Sequence, residues 1–202
     1  MSHSDREKWD RRYAAGEYES RPYPSALLTE WCPPPTPGAT ALDIACGLGR
    51  NARYLKTQGY RVDGVDVSQV AIDKARTLAR AQSLEIDWHV LDLDQDPLPV
   101  GLYSVIVVSR FLDRRLVPAI QSRLAPGGRL IYEQHVVTTQ RVGGPRSAQF
   151  RLQPNELLRL FATLHIAFYR EGVIDDPDGA PMAVAQLVGE HHLPRLHHAT
   201  IF

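Results

Sequence analysis

Three features between residues 41 and 68 have the types and spacing to bind a nucleotide-like ligand. Asp43 is the one acid within the short apolar run 41–45, Gly47-Leu48-Gly49 follows that run, and Asp66 ends a second apolar run. Glycines in such a turn let the backbone approach a ligand closely, and an acidic side chain roughly twenty residues further on can bind the hydroxyl pair of a ribose. The segment therefore predicts a nucleotide-binding crevice made by a strand, a glycine-rich turn, a helix and a second strand.

The charge at Asp43 bears on which nucleotide the crevice holds. Residues 47–52 also satisfy the G-x-G-x-x-A pattern of dinucleotide-binding domains, so an NAD(P)-dependent oxidoreductase is one interpretation. A pyrophosphate needs positive potential at the helix N-terminus, and a carboxylate just before the turn would repel it. The same carboxylate suits a cofactor that carries a sulfonium and an ammonium group. Asp92 and Leu93 follow the third predicted strand, where a carboxylate can accept a hydrogen bond from an adenine amino group.

The elements that must position these residues alternate between strand and helix patterns. Strands are predicted at 41–45, 61–65, 85–91, 103–109, 129–137, 166–171 and 182–190, and helices at 4–15, 25–31, 51–58, 70–81, 112–124 and 154–161. This alternation predicts an α/β fold with a doubly wound, mostly parallel sheet and helices on both faces. Residues 175–181, DDPDGAP, are a strong turn signal, so the last two strands should form an antiparallel hairpin at one edge of the sheet.

Length and composition limit the classes of protein further. The 202 residues suit one domain, divided into an N-terminal helical cover (1–37), an α/β core (38–190) and a tail (191–202). Basic and acidic residues number 23 each, which argues against a nucleic-acid partner. No apolar run predicts a secretory signal or a membrane span, so we expect a cytoplasmic protein in which Cys32 and Cys46 are reduced thiols. The histidine-rich tail has no carboxylate or cysteine at ligand spacing, so no metal is expected.

Taken together, five segments resemble the class I S-adenosylmethionine-dependent methyltransferases, and within them the small tellurite-resistance-type enzymes. The segments are ALDIACGLGRNARYL, GYRVDGVDVS, VVSRFLDRRLVPAI, LAPGGRLIYE and FRLQPNELLRLF. The resemblance implies a seven-stranded Rossmann-like sheet whose last strand is inserted antiparallel, with S-adenosyl-L-methionine as the cofactor. It implies a methyl transfer to a small-molecule acceptor by in-line displacement.

The resemblance also implies roles for individual residues. Asp43 would orient the methionine ammonium, Asp66 would accept hydrogen bonds from both ribose hydroxyls, and Asp92 would bind the adenine amino group. The remaining residues assigned to the cofactor are Ala45, Gly47 and Gly49 of the turn, Arg50 toward its carboxylate, Val67 and Leu93 at the adenine, and Ser109 at the methionine portion.

Residues near the acceptor are less constrained, because methyl transfer from a sulfonium mainly requires positioning and needs a general base only when the acceptor must lose a proton. The candidates are His135, Glu133, Arg110 and Tyr13, and each has a purely structural interpretation as well. Five arginines, at 110, 114, 115, 141 and 146, are candidates to converge on an anionic acceptor. The acidic stretch GVIDDPDGAPMAV disfavours tellurite and leaves a small organic acceptor. A non-catalytic cofactor-binding protein stays open, and the chain is expected as a monomer or homodimer without a membrane partner.

Overall fold

The computed structural model describes residues 3–19, 21–176 and 180–191. Its centre is one seven-stranded sheet with the order β3-β2-β1-β4-β5-β7-β6. The strands are β1 Thr40–Ile44, β2 Arg61–Asp66, β3 Asp87–Val90, β4 Tyr103–Ser109, β5 Leu124–His135, β6 His165–Asp175 and β7 Pro181–Glu190. The first five strands pair in parallel, and β7 lies antiparallel between β5 and the edge strand β6. The predicted α/β sheet and its C-terminal hairpin are confirmed.

Helices cover both faces of the sheet. They are α1 His3–Ala14, α2 Ala26–Trp31, α3 Arg50–Thr57, α4 Gln69–Ala81, α5 Val117–Arg123 and α6 Glu156–Leu160. Because successive strand residues point to opposite faces, β1 contributes Leu42 and Ile44 to one apolar cluster and Ala41 to the other. Asp43 alternates with them, which places its side chain on the same face as Ala41. Ala52 and Leu55 of α3 pack in the cluster on that face.

Two predicted boundaries around residue 120 are wrong. The helix predicted at 112–124 is a 3₁₀ turn at Arg114–Leu116 followed by α5, with Pro118 in the first turn of α5. Proline has no N–H to donate, so an α-helix started at Leu112 would be broken there. The fifth strand starts at Leu124 instead of Arg129, because Leu124 pairs with Tyr103 and the Pro-Gly-Gly sequence lies within the strand.

The N-terminal helix docks on the start of α4. Asp10 Oδ1 accepts hydrogen bonds from Ser68 Oγ at 2.5 Å and from the Val70 N–H at 3.2 Å. Lys74 Nζ donates to the carbonyl of Tyr13 at 2.7 Å. These contacts hold α1 beside the carboxyl ends of β1 and β2, where the predicted crevice lies.

Among the described residues, no helix combines the length and the apolar character that crossing a membrane requires. Both cysteines are free thiols. Of the histidine-rich tail, His191 pairs with β5 through its N–H to the Gly128 carbonyl at 2.8 Å, and residues 192–202 lie outside the described chain.

Candidate active site

The turn between β1 and α3 has an unusual backbone. Ala45, Gly47 and Gly49 all have positive φ, at 55°, 53° and 71°. This conformation is costly for a residue with a Cβ, which explains the glycines and marks Ala45 as strained. A Cβ on Gly47 would lie 2.6 Å from Tyr13 Oη, and one on Gly49 would overlap the Trp88 ring. The two glycines therefore allow aromatic side chains to lie directly on the turn.

Asp43 closes the base of this turn. Its side chain is 1% exposed, and Oδ2 accepts the Ala52 N–H of the first turn of α3 at 3.0 Å. Burial raises the pKa of the carboxyl to about 7, opposed by the Ala52 amide and by Arg50. The Asp43 carboxylate thus already accepts a backbone N–H at the N-terminus of α3. In a dinucleotide-binding domain that N-terminus binds the pyrophosphate.

Asp66 ends β2 and faces the same turn. Its Oδ2 accepts the Gly47 N–H at 2.8 Å, and its Oδ1 accepts the Ser68 N–H at 2.9 Å. Burial raises the pKa of Asp66, the two amides oppose that shift, and the nearby Asp10 adds to it. The amides fix the plane of the carboxylate, so its remaining lone pairs have a set direction.

At the end of β3, Asp92 belongs to a tight turn. Its Oδ1 accepts the Asp94 N–H at 3.1 Å, and its own N–H donates to Asp96 Oδ2 at 2.8 Å. The neighbouring Leu93 and the β2-following Val67 are buried, at 7% and 2% exposure. The residues predicted to surround an adenine thus lie after two adjacent strands of the sheet.

The carboxyl ends of β4 and β5 carry a buried polar network. Arg110 Nε donates to Glu133 Oε1 at 2.8 Å, and Gln186 Nε2 donates to Glu133 Oε2. Arg170 Nη2 in turn donates to Gln186 Oε1 at 2.7 Å. Both oxygens of Glu133 therefore have protein donors, an arrangement that orients Arg110. Beside it, Ser109 Oγ is buried and has no hydrogen-bond partner among the described residues.

His135 lies in cationic surroundings at the end of β5. Burial and, after it, the charges of Arg110, Arg151 and Arg21 together lower the pKa of its imidazole to about 4. The ring packs so tightly on Gly144 that a Cβ there would lie 2.5 Å from Cε1. The imidazole is therefore neutral at pH 7.

Tyr13 covers the turn from the N-terminal side. It is 9% exposed, and burial, followed by the charge of Asp66, raises its pKa well above the ordinary value. The phenol therefore stays protonated and can donate but not remove a proton.

Comparisons with known proteins agree with this geometry. The sequence profile described as "Methyltransferase domain" matches residues 41–128, from β1 to the Pro-Gly-Gly sequence in β5. A ribosomal protein L11 methyltransferase of Symbiobacterium thermophilum is 33% identical over 103 residues, which are 48% of this chain and 32% of that protein. The chain thus spans about a third of that relative's length.

Solved structures match over most of the chain. TehB from Haemophilus influenzae superposes with a TM-score of 0.70 at 20% identity, covering 89% of this chain and 66% of TehB. A SAM-dependent methyltransferase from Methanosarcina mazei superposes with a TM-score of 0.66 at 18% identity, covering 85% of this chain and 99% of that one. The fold is the Rossmann-like methyltransferase fold. In this fold the predicted cofactor residues are gathered along the carboxyl ends of β1, β2, β3 and β4.

The predicted convergence of five arginines is wrong for this methyltransferase-like fold. Arg114 binds Glu156 through two nitrogens, at 2.5 and 3.0 Å, and Arg115 binds Asp113 and Asp94. Arg141 and Arg146 are exposed in the loop after β5. Of the five arginines, only Arg110 is among the charges that lower the pKa of His135. Arg50 donates to the Tyr23 carbonyl at 3.1 Å and lies close enough to Arg110 for that charge to lower its pKa, after burial.

Gln186 and Arg151 were not predicted as residues of the site, whereas Arg21 was expected there as part of the N-terminal cover. Gln186 reaches Glu133 because β7 pairs beside β5 in a register that places the two residues opposite each other. Arg21 and Arg151 reach His135 from loops far away in the chain. A polar glutamine in the otherwise apolar run MAVAQLVG was the one sequence signal for either of the two that were not predicted.

Proposed function

We propose that this chain is a methyltransferase that uses S-adenosyl-L-methionine to methylate a small molecule. One observation carries the proposal: Asp66 is held by the Gly47 and Ser68 amides at the end of β2, beside the glycine turn. That is an oriented carboxylate for a ribose in a crevice whose fold is shared with methyltransferases. The match of residues 41–128 to the methyltransferase domain supports it.

The residues present fit this cofactor. Asp43 and Asp66 put two buried carboxylates beside the turn, which favours a ligand with a sulfonium and an ammonium group over one with a pyrophosphate. Gly47 and Gly49 let the turn adopt the positive φ that aims the Gly47 N–H at Asp66, and they leave room for Tyr13 and Trp88 to pack on the turn. The unpartnered hydroxyl of Ser109 offers a hydrogen bond at the end of β4. When bound, the cofactor supplies an activated methyl group.

The chain's own residues would position the acceptor and exclude water. Glu133 and Gln186 hold Arg110, whose guanidinium can bind an acceptor carboxylate or oxyanion. His135 is neutral and can accept a hydrogen bond from an acceptor hydroxyl or amine. Tyr13, fixed on the turn by α1, would shield the reacting atoms from solvent. Since each oxygen of Glu133 accepts a hydrogen bond from a side chain that it orients, we assign it a positioning role.

An anionic organic acceptor suits this environment better than a cationic one. Arg110, Arg151 and Arg21 all act on His135, so the potential there is positive. Membership of the tellurite-resistance-type subgroup remains part of the proposal, because the 20% identity with TehB speaks for the fold alone.

Calorimetry with S-adenosylhomocysteine and with NAD tests the cofactor. We expect micromolar binding of S-adenosylhomocysteine and none of NAD, and the reverse would overturn the proposal.

Turnover of S-adenosylmethionine over a panel of small carboxylates, phenols, thiols and amines then tests the acceptor class. Cofactor binding without any methyl transfer would favour a non-catalytic binding protein.

A further inference from the structure

A second cavity lies outside the proposed cofactor crevice. It has a volume of about 580 Å³ and opens between α3, α4 and the residues Tyr18, Glu19, Arg21 and Pro22. That size is within the range of small-molecule sites in proteins. Its wall includes Leu48 but none of Asp43, Asp66 or Ser109, the side chains on which the proposed cofactor site rests. None of the residues assigned to the cofactor lines this cavity.

Arg53 is the unusual residue of its wall. It lies on α3, is 8% exposed, and its buried Nε has no hydrogen-bond partner among the described residues. Burial lowers its pKa, and no charged partner opposes that shift. A buried guanidinium nitrogen that has no partner among the described residues is costly, because it has lost water without gaining a hydrogen bond.

The other charges on the wall are already paired within the protein. Lys74 Nζ donates to Glu19 Oε1 at 2.6 Å, Arg76 Nη1 donates to Asp73 Oδ1 at 2.9 Å, and Arg21 Nη2 lies 3.1 Å from Asp176 Oδ2. Arg53 is thus the wall's uncompensated charge, and it is positive. The rest of the wall is largely apolar, with Leu48, Val70 and Leu78 on the helical side and Tyr18 opposite.

We propose that this cavity binds a small organic anion. The carboxylate or phosphate of the ligand would pair with the Arg53 guanidinium, which matches the planar geometry of such groups, and the apolar part would lie against Leu48, Val70 and Leu78. The wall also includes Tyr18 and Arg21, which directly follow the helix that places Tyr13 on the turn. Occupation of the cavity would therefore stabilise the segment that covers the cofactor crevice.

Calorimetry on the full chain tests this site with benzoate, phenyl phosphate, inorganic phosphate and the neutral benzyl alcohol. We expect benzoate or phenyl phosphate to bind and benzyl alcohol not to bind.

Arg53→Met should weaken the affinity for the anion at least about tenfold, as loss of a charge-assisted hydrogen bond predicts. Arg61→Met, which removes an exposed arginine from β2, should leave the binding unchanged. Inorganic phosphate binding as tightly as phenyl phosphate would show that the charge alone, without the apolar wall, is recognised, and would overturn the organic part of the proposal.

Two further variants separate this site from the cofactor crevice and from folding. Asp66→Ala should bind the anion as the wild type does while its affinity for the cofactor falls, so failure of one proposal leaves the other testable. Without anion, Arg53→Met should unfold no more easily than the wild type, because it removes an unpaired buried charge. Arg53→Lys keeps a charge without the planar fork and should bind with intermediate strength. Equal anion binding by wild type and Arg53→Met, or no binding of any probe up to about 10 mM, would overturn the proposal.

Discussion

Asp66 Oδ2 accepts the Gly47 N–H at 2.8 Å, which ties the end of β2 to the glycine turn that follows β1. The residue proposed to bind the ribose is therefore oriented by the same turn that lets the ligand approach. Tyr13 Oη lies close over that turn from α1, so a single backbone segment connects the carboxylate, the cover and the start of α3. A substitution at Gly47 or Asp66 should consequently disturb both the carboxylate and the turn.

Asp66→Ala should weaken cofactor binding by about 1.5–3 kcal/mol, or roughly ten- to a hundredfold. The variant loses two hydrogen bonds to the ribose and leaves the Gly47 and Ser68 amides without their acceptor. Calorimetry with S-adenosylhomocysteine measures the change. Asp87→Ala removes an exposed carboxylate from the neighbouring strand β3 and serves as the control. An unchanged affinity in Asp66→Ala would show that the ribose lies elsewhere.

Gly47→Ala should destabilise the protein more than Gly38→Ala does. Both glycines have positive φ, at 53° and 78°, so each substitution carries the left-handed backbone penalty of about 1–2 kcal/mol. A Cβ on Gly38 meets no atom within 4 Å, whereas one on Gly47 lies 2.6 Å from Tyr13 Oη. Denaturant unfolding of the two variants gives the difference, which we expect to be about 1 kcal/mol or more.

The double variant Gly47→Ala with Tyr13→Phe checks the cause. Removing the phenol oxygen should recover part of the lost stability if the contact with Tyr13 is responsible. Equal losses for Gly38→Ala and Gly47→Ala would mean that α1 moves away from the turn without cost.

The sequence predicts the residues at the ends of the strands better than it predicts contacts between distant parts of the chain. The places of Asp43 and Asp66 follow from local patterns, since each lies near the carboxyl end of a short apolar run and parallel strands bring such ends to one edge. The Glu133–Gln186 contact depends on the register of β5 with β7, and no local pattern specifies which residues of two antiparallel strands face each other. Arg114 is an instance of the same limit, because its partner Glu156 is 42 residues away. Arg53 occupies a helix position that becomes a cavity wall only when Tyr18 and Arg21, which are distant in the chain, pack near it.

Asp43 should make stability fall as the pH rises toward neutrality. Its pKa is raised to about 7 in the folded chain, so between about pH 4 and pH 7 the folded state binds a proton that the unfolded state has released. The stabilisation is complete below the unfolded pKa and is lost as the pH passes the folded pKa, by at most about 4 kcal/mol. Asp43→Asn cannot titrate at this position, so denaturant unfolding of the two proteins at pH 5 and pH 8 isolates the effect. Parallel pH profiles for wild type and Asp43→Asn would contradict it.

The same carboxyl should make cofactor affinity rise with pH. A sulfonium and an ammonium group favour the ionised form of Asp43, so S-adenosylmethionine should bind more tightly above pH 7 than at pH 6. Asp43→Asn should show a weaker affinity with less pH dependence. Calorimetry at several pH values measures both, and an affinity that falls as the pH rises would place Asp43 away from the cationic groups of the ligand.

Arg110→Gln should raise the pKa of His135 from about 4, because Arg110 has the largest effect of the charges that oppose protonation of the imidazole. Burial contributes more than any charge, so the pKa should still remain below the ordinary value of about 6.5. Titration of the His135 ring signals by NMR measures the pKa in each protein. Arg115→Gln is the matched control, since Arg115 pairs with Asp113 at the surface and is not among the charges that act on His135. A His135 pKa that is the same in all three proteins would show that the Arg110 guanidinium points away from the ring. Arg110 would then not contribute to the positive potential proposed around His135.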